Sequence, residues 1–404
     1  MTTNSTEPLG PPRWYLIALL FAAVICRYLY TQWEINHGLS LHSFVLTAQP
    51  IYKDAISDWL SGLDPYRTIH RALRFVYPPV FLYAGGWLAR IFPGLIGWYL
   101  YILVLVVSTL ALPVVLARFY FCQPWLTPAF AILIFLAEPR LTGVLALANG
   151  NIAAVLYLVT FLAAVPGLRA NRWTLFYVAV FAGALVKFPF LLLLLLPLLT
   201  GPRQWRNSGL CVGAVVLAYL LQKFAFPDLY SGYKWSVDQQ LTVMNHYGYG
   251  ILGIVAGVQN KLYGKVGVLP SVLSVLFTGI LIAVLFVLRP RIQEPSRNPL
   301  WLALVVLSTI FASPRLLEYD ADVALFAAYV IFALVLQTRR LLTLLIILFL
   351  PSLIVSHLIK AQTLVGCYET LVLLLAFAGA FVVLWRQHAQ VSLPDHEPAL
   401  KHAV

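Results

Sequence analysis

Leu269 to Leu288 reads L-P-S-V-L-S-V-L-F-T-G-I-L-I-A-V-L-F-V-L, a run without a charged residue that stops at Arg289. A helix needs roughly 20 apolar residues to cross the hydrocarbon of a bilayer, and this run supplies them. Outward from it, further apolar runs occupy residues 14–29, 79–91, 95–116, 125–137, 152–165, 173–186, 189–199, 208–221, 300–312, 323–337, 341–358 and 370–385. The whole chain of 404 residues is 61% hydrophobic and 10% charged, against about 25% charged for ordinary soluble domains. Composition therefore predicts an all-α polytopic membrane protein, with residues 1–404 forming one integral membrane domain.

The formal charge of +12 comes from cations scattered through short connections. That is the pattern of the positive-inside rule rather than of a nucleic-acid surface, so no nucleic-acid partner is expected. Arg169 with Arg172, Arg203 with Arg206, Arg289 with Arg291 and Arg297, Arg339 with Arg340, and Arg386 mark every second connection, which assigns those loops to the cytoplasm. The alternate connections then face outward: residues 30–77, a first periplasmic loop; 138–151; 187–188; 222–268, a second long loop; 313–322; and 359–369. Thirteen runs cannot place both termini in the cytoplasm. About twelve transmembrane helices are expected, with either 79–91 or 125–137 re-entrant, which is tolerated where it lines a cavity. Within 14–29 the apolar run 14–25 is followed by Arg27 and aromatics rather than a small-residue cleavage site, so a retained span is expected. Cys26, Cys122, Cys211 and Cys367 stand apart, without zinc or disulfide spacing.

The first outer loop carries the longest early polar stretch, I-Y-K-D-A-I-S-D-W-L-S-G-L-D-P-Y from Ile51, then a basic run, then Y-P-P at Tyr77 to Pro79. Ile51, Tyr52, Ala55, Ile56, Trp59 and Leu60 recur at helical spacing, with Lys53, Asp54, Ser57 and Asp58 opposite, which predicts an interfacial helix. Gly62 and the Asp64–Pro65 pair should end it. Asp54 and Asp58, one turn apart, are candidate catalytic bases, while Asp64 suits a turn.

Other polar groups gather at outward-facing ends. Lys187, between Val186 and Phe188, is an ammonium beside apolar runs, read either as a counter-ion for a phosphate or as a snorkelling lysine. Arg315 could grip a phosphate through its planar fork, or pair with Glu318 or Asp320. Asn149, Gly150 and Asn151 open an apolar run, as helix cap or as polar lining. Asn245 and His246, beside Tyr247 and Tyr249, could hydrogen-bond a sugar. His246 has no partner at ligand spacing, so no metal is expected.

In this order, Y-x-x-A and G-x-D-P-Y from Tyr52, Y-P-P at Tyr77, G-N at Gly150, A-L-V-K-F-P around Lys187 and S-P-R-x-x-x-Y-D from Ser313 resemble the polyprenol-phosphate-mannose-dependent α-1,2-mannosyltransferase family. That family is glycosyltransferase family 87, of the glycosyltransferase C superfamily. The resemblance implies a glycosyltransferase C fold in a bacterial inner membrane and transfer with inversion on the periplasmic side, without cofactor or nucleotide sugar. Its partners would be a polyprenyl-phosphate sugar donor, a lipid or glycan acceptor and membrane lipids. By position it implies that Lys187 and Arg315 hold the donor phosphate. Tyr77, Asn149, Asn151, Asn245, His246, Tyr319 and Asp320 would line the sugar or acceptor site. The family's expected base, an Asp four residues before the Tyr of Y-x-x-A, falls here at Ala48, so Asp54, Asp58, Asp320 and Glu318 are the carboxylates to weigh. A lipid flippase would need matched repeats and mid-bilayer charges, and a non-catalytic envelope scaffold would be consistent with Ala48.

Overall fold

The computed structural model describes residues 48–70, 73–121, 150–202, 204–242, 248, 250–335 and 362–391. Expectations for 14–29, 125–137 and 341–358, and for Asn149, Asn245 and His246, lie outside these residues.

The described chain is helical, apart from one two-stranded hairpin. Helix α1 spans Ala48–Leu60, and the strands β1 (Ile69–His70) and β2 (Leu73–Arg74) pair antiparallel with Ile69 opposite Arg74. Then come α2 (Pro79–Ile91), α3 (Leu95–Phe121), α4 (Ala153–Ala170) and α5 (Thr174–Val186), a 3₁₀ segment (Phe188–Leu194), α6 (Leu195–Thr200) and α7 (Trp205–Ala225). The remaining helices are α8 (Pro227–Thr242), α9 (Gly250–Tyr263), α10 (Leu269–Leu288), α11 (Pro299–Phe311), α12 (Glu318–Val335) and α13 (Gln362–Val391). Among the described residues five stretches are long and apolar enough to cross a membrane: Leu95–Tyr120, Ala153–Ala170, Trp205–Ala225, Leu269–Arg291 and Thr370–Gln387. Along α3 the residues Ile96, Tyr99, Leu103, Val107 and Leu110 are exposed at helical spacing, and along α10 so are Leu269, Leu273, Leu276, Ile280 and Val287. Water would penalise such stripes, whereas hydrocarbon accepts them. The chain is an α-helical membrane protein.

Its centre is α11. Every residue from Leu300 to Phe311 is buried, as befits a helix apolar on all sides. Asn298 caps it by accepting a hydrogen bond from the Trp301 amide at 3.0 Å, and Trp301 is wholly buried. Helix α12 lies against α11 and buries Val323 to Ala328 in the same core.

The interfacial helix ends as its sequence predicts. Gly62 adopts φ +79°, and the Leu63 amide reaches back to the Asp58 carbonyl at 2.8 Å, closing the last turn. Asp64 then accepts from the Tyr66 amide at 2.9 Å, the turn role expected of it. Helix α2 occupies the predicted run 79–91, but its 13 residues are about 20 Å long, short of a bilayer core. It lies against α1, where any Cβ on Gly85 or Gly86 would run into Ile56 or Trp59.

Three expectations need adjustment. The stretch 222–268, expected to be a long loop, is largely helical, holding α8, which is too polar to register as an apolar run, and α9, whose apolar part is short. The predicted run 323–337 begins earlier, at Glu318, because acidic residues suit the positive end of a helix. The run 189–199 is a 3₁₀ segment followed by the short α6.

The break before that segment depends on Gly183, because a Cβ there would stand 2.7 Å from the Phe190 ring. Gly183→Val is therefore expected to destabilise the protein by about 1–3 kcal/mol through overpacking. Gly209→Ala, with open space around the new methyl, serves as control. Thermal unfolding in detergent checks this, and equal melting temperatures for both variants would contradict it.

Candidate functional site

Lys187 sits where α5 stops. Pro189 has no amide hydrogen to continue the helix, and Lys187 itself is extended, with φ −137° and ψ 99°. Its amide still closes α5 on the Gly183 carbonyl at 2.7 Å, and its carbonyl accepts from the Phe190 amide at 2.9 Å. The backbone is thus satisfied on both sides of the kink. The side chain reaches Asp320 in the first turn of α12, with Nζ 3.2 Å from Oδ1 and 3.4 Å from Oδ2. The two side chains are only 14% and 10% exposed. Tyr157, on α4, donates its hydroxyl to the same Oδ1 at 3.0 Å and stacks on Phe190, with ring centroids 4.7 Å apart.

A second polar centre stands beside the first. The Tyr52 and Tyr77 hydroxyls are 2.7 Å apart, and Asn151 Nδ2 donates to the Tyr77 hydroxyl at 3.1 Å. The Asn151 oxygen accepts from the Ala153 amide at 3.0 Å, so this residue satisfies the first amide of α4 and ties the helix start to Tyr77. Gly150, at φ +62°, turns its carbonyl to the Tyr101 hydroxyl at 2.7 Å. Tyr66 donates to the Tyr77 carbonyl at 3.0 Å. Burial pushes the Tyr77 phenol above its ordinary pKa, with the hydrogen bonds from Tyr52 and Asn151 acting the other way. Tyr77 therefore stays neutral at physiological pH and orders its neighbours without acting as a phenolate base. Asp320 and Arg315 both act electrostatically on Tyr77, and Arg315 also acts on Lys187, so the two centres form one polar region.

No family model, curated protein or solved structure matches this chain.

Of the residues singled out by sequence, the fold brings together Tyr77, Asn151, Lys187, Asp320 and, within electrostatic reach, Arg315. Lys187 is the close ion-pair partner of Asp320. Tyr319 takes its place in the first turn of α12. Asp54 and Asp58 are half-buried on α1. At about 100° per residue they point roughly 160° and 120° away from Tyr52, the residue of α1 that meets Tyr77. Among the described residues no three His, Cys, Asp or Glu side chains gather as metal ligands.

Sequence reasoning passed over Tyr157 and treated Tyr52 as part of an apolar face. The available signal was the hydroxyl itself, since a phenol inside an apolar helix needs a partner when buried. Tyr77→Phe would leave the Asn151 amide and the Tyr52 hydroxyl without this partner, at an expected cost of about 1–3 kcal/mol. Adding Tyr52→Phe should cost little more, because the pair acts as one unit. Melting of the single and double variants checks this, and strict additivity would contradict it.

Proposed function

We propose that this chain is a membrane glycosyltransferase of glycosyltransferase C type, with about twelve spans. It moves a sugar, mannose by the motif resemblance, from a polyprenyl-phosphate donor to a hydroxylated lipid or glycan acceptor. The reaction takes place on the periplasmic face of a bacterial inner membrane. The observation that carries this reading is the secluded Lys187–Asp320–Tyr157 group at a broken apolar helix, with Arg315 within electrostatic reach. Ionisable groups in such a chain are expensive, and function is the usual reason for keeping them.

In the proposed reaction the acceptor oxygen attacks the anomeric carbon. The bond from that carbon to the phosphate oxygen breaks, and its electron pair leaves on polyprenyl phosphate. Lys187 and Arg315 neutralise the charge gathering there, as fixed cations do for a departing phosphate. The acceptor proton passes to a carboxylate. Inversion requires attack from the face opposite the phosphate, so the base stands across the sugar from Lys187. Asp320, in contact with Lys187, is on the wrong side for that role and acts by positioning the ammonium. The proposed base is Asp54 or Asp58; because both point away from Tyr52, this reading has the acceptor activated on the polar face of α1 rather than beside Tyr77.

The test is transfer from synthetic polyprenyl-phosphate mannose to total membrane lipid by the purified chain in nanodiscs. Lys187→Gln and Arg315→Gln are preferred to Ala, because glutamine at 187 still offers Asp320 a hydrogen bond and avoids orphaning a buried carboxylate. Each is expected to lower turnover about a hundredfold or more, with little change in melting temperature. Asp54→Asn or Asp58→Asn, one of the two, should remove transfer to the same extent. Full activity in both cation variants would sink the phosphate assignment, and no transfer by the wild type from any prenyl-phosphate sugar would sink the function.

A further inference from the structure

Lys187 is the proposed holder of the donor phosphate, yet its close partner is the Asp320 carboxylate. A carboxylate 3.2 Å from the ammonium occupies the place that a phosphate oxygen would take on it. Both anions cannot stand there without mutual repulsion, and in a secluded site that repulsion is weakly screened. Asp320 must therefore yield Lys187 when a phosphate arrives.

Yielding has a cost of its own. A carboxylate that is only 10% exposed loses several kcal/mol if it gives up its counter-ion and gains nothing in return. Here Tyr157 matters, because it already donates to Asp320 Oδ1 at 3.0 Å from α4, a different element from the one that carries Lys187. Its ring is fixed by stacking on Phe190 and by burial, so the hydroxyl stays in place whether or not the ammonium turns away. The start of α12 adds a further favourable field, since Asp320 lies in the helix's first turn.

Resting on the reading of Lys187 as a phosphate ligand, we propose that Asp320 is an internal stand-in for the donor phosphate. Lys187 exchanges one for the other, and Tyr157 retains Asp320 during the exchange. The same carboxylate reclaims Lys187 when polyprenyl phosphate departs, which limits how tightly product is held. Asp320 and Tyr157 are then positioning residues with opposite effects on phosphate affinity. Removing the carboxylate charge removes the competitor, whereas removing the phenol oxygen ties Asp320 more firmly to Lys187.

Equilibrium binding of farnesyl phosphate to the full chain in nanodiscs separates these effects. Farnesol, which lacks the phosphate, is the control for binding through the prenyl tail. Lys187→Gln is expected to weaken farnesyl phosphate binding by roughly a hundredfold, Asp320→Asn to strengthen it by roughly tenfold, and Tyr157→Phe to weaken it by roughly tenfold, the last two being about 1.4 kcal/mol each in opposite directions. Farnesol binding should not move in any variant. A merely structural role for Asp320 and Tyr157 would shift both variants the same way, and that outcome overturns the exchange. If Lys187→Gln loses affinity and Asp320→Asn fails to gain it, the exchange is wrong and the phosphate assignment stands. If Lys187→Gln binds as the wild type does, the phosphate assignment itself fails. Should Asp320→Asn not fold, the sign of the Tyr157→Phe effect decides alone, with unchanged or tighter binding counting against the proposal.

Discussion

A charge withdrawn from water must find its compensation inside the protein, and the fold around the candidate site is arranged by that requirement. Lys187 is placed at a helix break, where the backbone can leave its ladder because Pro189 has no hydrogen to donate. Asp320 is placed at a helix start, where negative charge is favoured. Each position suits its residue locally, and the 3.2 Å contact then joins α5 to α12, elements far apart in sequence. The wholly buried α11 makes the contact possible, since α12 and the 3₁₀ segment both lie against it. Hydrophobic packing thus fixes the distance between two charges whose separation would be expensive.

The polar stretch around Tyr77 obeys the same requirement by other means. No charge is buried at Tyr77. Instead three phenols and an amide satisfy one another: Tyr52 and Asn151 meet its hydroxyl, and Tyr66 takes its carbonyl. Ser236, from α8, accounts for the neighbouring Phe75 carbonyl at 2.7 Å, and Gln222, at the end of α7, for the Val80 amide at 3.0 Å. The irregular stretch between hairpin and α2 is thereby held by groups from α1, α4, α7 and α8. A chain segment with this many external partners is rigid, and rigidity is what a wall of a binding site requires.

What the sequence revealed follows from which physics is local. Apolar length alone located α2 and α10 to the residue, and the Gly62 and Asp64 turn chemistry closed α1 as anticipated. The apolar run 208–221 was too short because α7 continues through Gln222, a polar residue kept inside the helix by its bond to Val80. Helix α8 was hidden because its polarity resembles that of a loop, and α9 because its apolar part, residues 251–258, is only about two turns long. Pro189 announced the break at Lys187, but nothing nearby announced that Asp320, 133 positions later, would be the partner. Tyr157 was less legible still, being one phenol among apolar neighbours whose role depends entirely on what α12 brings to it.

The two polar centres differ in a way that bears on how a transferase of this kind could work. The Tyr77 centre is neutral, so nothing in it has to move when an anion enters. The Asp320 centre is ionic, so an incoming anion must change its pairing. In the proposed transferase a rigid neutral wall and a rearranging ionic one, side by side, would divide the labour between recognising the sugar's hydroxyls and holding or releasing its phosphate. Hydroxyl groups are recognised by fixed donors and acceptors, whereas release of a charged leaving group needs a replacement counter-ion already at hand. In this reading Asp320 can supply that replacement only because Tyr157 holds it in place at the helix start. The ion pair is thus better understood as a resting state of the site than as a contribution to stability, for which a buried pair is weak evidence.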